Sequence, residues 1–153
     1  MFTVASCLAT ANSRVDRKLF CISVNRHEWE GLSLHKTRMM SDLVQSFNEY
    51  RSRTNDLILS QQNLVINRLF NLDTHTYQEG ALSVKTKEML GLVASMVLRC
   101  DDCIKYHLGK CHDCGISTEE IYEVFAVANI VGGTIVIPHT RRAAEYWEAL
   151  KVS

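Results

Sequence analysis

The chain has 153 residues, and its 46% hydrophobic and 22% charged content is that of a globular protein with one core of ordinary size. Its 17 basic and 17 acidic residues cancel, so no net field draws it to nucleic acid or to an anionic membrane surface. No apolar run approaches the roughly 18 residues that a membrane-spanning helix needs. From the charge balance and the lack of such a run, we expect neither nucleic acid nor a membrane as a partner.

The scarcity of helix-breaking residues predicts an all-α fold. The chain has one proline, Pro138, and seven glycines, so long stretches run without a breaker, and we expect a compact bundle of about six helices. Residues 2–11 are mildly apolar and residues 12–39 show no sustained helical or strand period, whereas Ser41 is a plausible N-cap for the helical spacing that follows it. We therefore predict a loosely ordered extension over residues 1–39 and a structured domain over residues 40–153.

The five later helices are bounded by capping residues and glycines. Serine is a favoured N-cap, a glutamate three residues after it completes a capping box, and glycine is favoured just beyond a helix end. These signals predict helices over about residues 62–71, 84–98, 99–115, 118–131 and 134–150, with N-caps at Ser83 and Ser117 and a terminating glycine at Gly115.

The second of these helices, over residues 84–98, is the most apolar and carries one acidic residue of interest, Glu88. A helix that is apolar nearly all round is expected at the centre of a bundle. Glu88 would then be a carboxylate on a buried helix, but it could equally lie at the exposed first turn, where acids favour the helix dipole. Gly91, one turn further on, predicts close approach by a neighbouring backbone.

The cysteines are distributed unevenly. Four of the six lie within residues 100–114, whereas the cysteines of a secreted disulfide framework would be scattered to link distant parts of the chain. Clustered thiols indicate local chemistry in a reducing compartment, so we expect a cytoplasmic protein.

The clustered cysteines and one histidine share a helix face. On a helical wheel Cys100, Cys103, His107, Cys111 and Cys114 span an arc of about 80° but a length of about 21 Å. One metal ion cannot bind both ends of such a row, because its ligand bonds are only about 2.0–2.3 Å long. A structural zinc site would use Cys100, Cys103, His107 and a fourth ligand from elsewhere.

A redox site fits the spacing better than zinc. Two cysteines three residues apart can close a disulfide across one helical turn, and the helix dipole stabilises a thiolate at that end. His107 lies one turn beyond Cys103 and can accept its proton, while Glu88 could orient the imidazole. Asp101 and Asp102 oppose a thiolate, and we expect both to point outward.

The remaining chemical side chains favour ordinary structural roles. Cys111 and Cys114 are interpreted as small buried hydrophobes, although a second redox pair is the alternative. His75 and His139 have no partner that the sequence identifies, so surface or loop roles are the default. Arg141 and Arg142 could bind an anion, but a solvated helix face is the simpler interpretation.

The stretch from Lys85 to His107, with Gly115 to Glu123 and Val131 to Gly133, resembles the carboxymuconolactone decarboxylase family. The resemblance is to its alkyl hydroperoxidase D-like branch, and the pattern Glu-x11-Cys-x2-Cys-x3-His carries it. It is strongest over residues 82–133 and does not cover residues 1–39.

The resemblance implies an all-helical fold assembled as trimers or hexamers, and the reduction of hydroperoxides without a cofactor or a metal. It implies that Cys103 attacks the peroxide, that Cys100 condenses with it to a disulfide, and that His107 and Glu88 relay protons. A dithiol partner of the thioredoxin or lipoyl type would restore the thiols.

One position departs from the family pattern. The best-known members of the branch carry a histidine directly before the second cysteine, where this chain has Asp102, so one candidate base is absent. A weak peroxidase or a disulfide reductase with another substrate therefore stays open. Two alternatives of other classes are a zinc-binding structural module that uses the same thiols and a cofactor-independent lactone decarboxylase or isomerase.

Overall fold

The computed structural model describes the backbone of residues 26–153, and the side chains at residue 31 and from residue 34 onward. Over these residues the chain forms six α-helices and one short 3₁₀ helix, with no strand, which confirms the predicted all-α bundle. The helices are α1 (Arg26–Ser60), α2 (Leu64–Thr76), α3 (Val84–Val97), α4 (Asp101–Asp113), α5 (Thr118–Gly132) and α6 (Ile137–Leu150), with the 3₁₀ turn at Thr134–Val136.

The predicted helix start at Ser41 is wrong, because α1 begins at Arg26 and continues through Ser41. Residues 34–39 are all exposed, so this part of α1 has no buried face and leaves no apolar period in the sequence. An apolar period in a sequence indicates which helix face is buried, not whether a helix forms, so it could not predict these turns. Residues 1–25 of the predicted extension lie outside the described residues, and the domain boundary near Met40 stays a prediction.

Helix α2 is longer than predicted and lies apart from the core. Its N-cap is Asn63, whose side chain accepts hydrogen bonds from the amides of Val65 and Ile66, and the helix runs to Thr76 rather than ending near residue 71. None of its residues is buried. Its exposed apolar side chains are Leu64, Val65, Ile66, Leu69 and Leu72.

The boundaries around the central helices follow the predicted capping chemistry. Ser83 accepts a hydrogen bond from the amide of Thr86, and Ser117 forms a full capping box with Glu120. Gly115 has a φ of 67°, the left-handed geometry that glycine adopts without penalty after a helix end. All three predicted signals are confirmed.

The core forms where α3, α4 and α5 meet and where α6 closes over α1 and α4. Its largest fully buried side chains are Trp147, Phe125, Leu92, Met96, Leu108 and Ile121. Helix α3 is less enclosed than predicted, because Leu90 on the helix and Leu98 at its C-cap remain exposed. Within residues 26–153, none of the helices is long and apolar enough to cross a membrane.

Candidate redox site

The first turn of α4 carries the two cysteines that the sequence singled out. Cys100 is the N-cap, and its Sγ lies 3.3 Å from the amide nitrogen of Cys103, which donates to it. The two Cα atoms are 5.3 Å apart, and the sulfurs are joined in a disulfide. Cys103 is exposed, whereas Cys100 is half-buried, so Cys103 is the sulfur that a substrate reaches more easily.

The link between α3 and α4 sets the position of Cys100. Arg99 has a φ of 61°, a left-handed conformation that costs a residue with a Cβ about 1–3 kcal/mol. This residue reverses the chain after α3, and Cys100 follows in an extended conformation with φ −94° and ψ 93°. The turn therefore places Cys100 at the N-cap of α4, where its Sγ accepts a hydrogen bond from the amide of Cys103.

Glu88 and His107 form a buried pair beside the cysteines. The Oε2 atom of Glu88 lies 2.8 Å from Nδ1 of His107, and the two residues are 2% and 7% exposed. Of the two sequence interpretations of Glu88, the buried carboxylate is therefore correct. With Nδ1 held by the carboxylate, Nε2 is the ring nitrogen left for proton transfer.

Gly91 allows the imidazole to reach this position. A Cβ at residue 91 would lie 2.6 Å from Cε1 of His107 and 2.6 Å from Oη of Tyr77, closer than atoms can pack. The predicted close approach is confirmed, but the neighbours are side chains rather than the predicted backbone.

Two tyrosines that the sequence analysis missed flank the histidine ring. The rings of Tyr77 and Tyr106 each lie 5.2 Å from that of His107, measured between centroids. Burial raises the pKa of the Tyr77 hydroxyl, and the nearby charges of Glu88 and Asp73 raise it further. Tyr106 could have been noticed as the neighbour of His107 in the motif, whereas no sequence signal marks Tyr77.

Cys103 and His107 open onto one cavity of about 340 Å³, which lies between α1, α2 and α4. Its wall also includes Phe47, Arg51 and Tyr106. The guanidinium carbon of Arg51 lies 4.0 Å from the centre of the Tyr106 ring, a cation–π contact. The volume suits a small organic molecule.

Comparison with known proteins agrees with this architecture. The model of the carboxymuconolactone decarboxylase family matches residues 64–146, which is more than half of the chain. The chain belongs to this family. A curated relative, an uncharacterised protein from Cupriavidus necator, is 27% identical over 73 residues, which are 48% of this chain and only 65% of that protein.

Solved structures of the family are also similar. Two crystal structures of a Thermotoga maritima protein are 53% identical, cover 70% and 69% of this chain and 94% and 90% of theirs, and have TM-scores of 0.69 and 0.67. That protein is described as a family member that is a candidate for the antioxidative response. A Legionella pneumophila family protein, 23% identical with a TM-score of 0.61, covers 72% of this chain and 96% of its own, and shows the shared fold alone.

Two more cysteines lie on α4 in this family member. Cys111 is fully buried and unpaired, and burial raises the pKa of its thiol to about 12, with smaller contributions from Glu88 and Cys114. It therefore behaves as a small hydrophobe, as predicted. Cys114, the C-cap of α4, is free and only half-buried, so its predicted buried position is wrong. Over residues 26–153, no group of three or more His, Cys, Asp or Glu side chains converges to hold a metal ion.

The pKa of Cys111 leads to a labelling prediction. At pH 8 a thiol with a pKa of about 12 has about a thousandfold less thiolate than an ordinary cysteine, so iodoacetamide should leave Cys111 unmodified in the folded protein. Cys114 provides the control in the same molecule and should be labelled. Fragment-ion mass spectrometry separates the two sites, and equal labelling in folded protein would contradict the assignment.

The expectation that His139 is a surface group without a partner is wrong, and Arg142, although half-exposed, is also paired. Both contact the carboxylate of Asp101 in the first turn of α4, so Asp101 does not simply point outward into solvent. The sequence gives no local signal for this contact, because the partners lie 38 and 41 residues apart.

Proposed function

We propose that this chain is a thiol-dependent peroxidase or disulfide oxidoreductase of the alkyl hydroperoxidase D-like branch of its family. One observation carries the proposal: the exposed sulfur of a bonded cysteine pair opens onto the same cavity as an imidazole held by a buried carboxylate. A reversible disulfide, a proton carrier and a cavity for a small substrate are the parts that such chemistry needs.

The first step oxidises Cys103. His107 takes the thiol proton, and the thiolate attacks the terminal oxygen of a hydroperoxide. A sulfur–oxygen bond forms while the oxygen–oxygen bond breaks, and the leaving alkoxide takes the proton back from His107 as the alcohol departs. Glu88 at 2.8 Å stabilises the imidazolium that exists between the two transfers.

The later steps restore the enzyme. The thiol of Cys100 attacks the sulfenic acid on Cys103, which yields the disulfide and one water. A dithiol then reduces the disulfide by exchange, leaves as its own disulfide and returns both cysteines to thiols. We propose a partner of the thioredoxin or lipoyl type for this reduction. If the first step uses another disulfide in place of a peroxide, the same pair acts as a disulfide reductase.

The relatives support the antioxidant form of this chemistry. The Thermotoga maritima protein, described as a candidate for the antioxidative response, shares 53% identity with this chain over 70% of its length. The expected trimer or hexamer stays a prediction, and the exposed apolar side chains of α2 are the surface on which we expect it to form.

Counting thiols provides the direct test. Fully reduced, denatured protein should titrate six thiols, and one equivalent of an organic hydroperoxide added to the folded protein should remove two. Peptide mapping should place the loss at Cys100 and Cys103, and dithiothreitol should restore both. An unchanged thiol count would contradict the peroxidase, and loss at other cysteines would contradict the assigned site.

Metal analysis separates the structural alternative. Stoichiometric zinc in anaerobically purified protein, bound so that Cys100 and Cys103 resist alkylation, would favour the zinc module. Protein free of zinc that turns over many equivalents of hydroperoxide only when a dithiol is supplied would favour the redox enzyme over both the zinc module and the lactone decarboxylase.

A further inference from the structure

Asp101 occupies an unfavourable position for thiol chemistry. It lies between Cys100 and Cys103 in the chain, in the first turn of α4. A carboxylate so close to two thiols disfavours the thiolate that the proposed reaction requires. Its charge must therefore be offset if the pair is to react near neutral pH.

Two side chains of α6 meet this carboxylate. The Nδ1 atom of His139 lies 2.7 Å from Oδ1 of Asp101, and Nε of Arg142 lies 3.1 Å from Oδ2. Arg142 Nη2 also lies 3.2 Å from Oδ1 and 2.9 Å from the His139 ring. Burial raises the pKa of the Asp101 carboxyl, but hydrogen bonds from His139 and Arg142 outweigh it and hold that pKa below its usual value.

We propose that Asp101, His139 and Arg142 form a charge clamp in which the two α6 residues are positioning residues that set the thiolate population of the Cys100–Cys103 pair. The role of the charge clamp depends on the proposed redox function, because the clamp acts on the same cysteine pair. Arg142 neutralises the carboxylate, and both α6 residues hold it in a fixed place at the start of α4.

Other charged groups near the first turn of α4 also contribute to the electrostatic field there. Asp102 pairs with Lys105 on α4 itself, at 3.4 Å, and both are partly exposed. The α3 side contributes the buried Glu88–His107 pair. Neither pair contacts the clamp residues through any hydrogen bond described for residues 26–153, so a clamp variant leaves this background in place.

The charge clamp predicts changes of opposite sign in the thiol pKa of two variants, whereas a purely structural role of the same contact does not. Arg142→Gln leaves the Asp101 charge uncompensated and should raise the pKa of the reactive thiol, whereas Asp101→Asn leaves Arg142 uncompensated and should lower it. Both variants remove the same contact, so loosening of the helix alone would move both in one direction. The double variant should return close to the wild-type value.

Alkylation of the reduced protein measures this effect without peroxide. Trypsin cuts after Arg99 and Lys105, so residues 100–105 form one peptide that carries both redox cysteines and no others. The reduced, folded protein is alkylated with iodoacetamide at pH 7 and then digested. The rate at which the cysteines of this peptide are alkylated should fall about threefold to tenfold in Arg142→Gln and rise about threefold to tenfold in Asp101→Asn.

Three further variants keep the test decisive. Arg142→Lys retains the positive charge but loses the two-point contact with the carboxylate, so its alkylation rate should lie between those of Arg142→Gln and wild type. Asp113→Asn, at the far end of α4 and 3.9 Å from Lys110, is the matched control and should change nothing. His139→Gln removes one hydrogen bond but not the arginine, so its effect should be smaller than that of Arg142→Gln.

The outcomes separate the clamp from the proposed enzyme. Shifts of the same sign in Arg142→Gln and Asp101→Asn, or no shift in either, would overturn the clamp. Opposite shifts in a protein that does not reduce hydroperoxides would leave the clamp standing and remove the peroxidase. Should Arg142→Gln not fold, Asp101→Asn and Arg142→Lys still decide, since the first must accelerate alkylation and the second must not.

Discussion

Replacement of Cys103 by serine is expected to lower hydroperoxide turnover at least about a thousandfold, because a serine hydroxyl is not ionised at neutral pH and cannot take the place of the thiolate. Cys103 is the exposed member of the pair and opens onto the cavity, so no other described cysteine can replace it there. The measurement is the consumption of an organic hydroperoxide with dithiothreitol as the reductant.

Replacement of Cys100 should have a different result. Cys100→Ser should react with one equivalent of peroxide and then stop at a sulfenic acid on Cys103, which dimedone traps and mass spectrometry detects. Cys114→Ser is the matched control, since Cys114 is a half-buried free thiol at the other end of α4, and it should keep its turnover. Dimedone-trapped sulfenic acid in both Cys103→Ser and Cys100→Ser, or in neither, would contradict the assigned roles.

Replacement of Glu88 by glutamine should reduce the kcat/KM for the hydroperoxide about a hundredfold or more. Glutamine keeps the size of the side chain and one oxygen near Nδ1 of His107, but it removes the negative charge 2.8 Å from the ring. The imidazolium formed during proton transfer then lacks its counter-charge in a buried place, and His107 becomes a poorer base.

A pH series distinguishes this effect from damage to the fold. The loss in Glu88→Gln should shrink as pH rises towards the ordinary thiol pKa of about 8.5, because the thiolate then forms without help from the histidine. Glu123→Gln, an exposed glutamate on α5, is the control and should match wild type at every pH. A Glu88→Gln protein that keeps its thermal midpoint and its full rate would remove Glu88 from the mechanism.

Local chemistry explains which parts of the fold could be predicted. Caps such as Ser83 and Ser117 depend on atoms within four residues, so α3 and α5 could be placed to within a residue or two. The cysteine pair and His107 share one helix face for the same local reason. In α1 residues 34–39 are all exposed and form no buried face, so the apolar pattern contained nothing to predict that part of the helix from.

The parts of the site that sequence reasoning missed come from different helices. Periodicity could not decide between an exposed and a buried Glu88, because the answer depends on where α4 packs against α3. Arg51 and Tyr77 reach the site from α1 and from the end of α2, and the link between Asp101 and Arg142 depends on how α6 lies across α4. Such contacts are set by packing and leave no fixed spacing.

Because glycine has no side chain, Gly91 can be used to interpret related sequences. The imidazole occupies the volume that a methyl group at that position would fill, so the carboxylate–histidine geometry and the glycine belong together. The pattern Glu-x2-Gly-x8-Cys-x2-Cys-x3-His therefore describes a three-dimensional arrangement more completely than its four reactive residues do. A homologue with alanine at the glycine position must tilt its histidine out of line with the glutamate, and its proton must travel by another route.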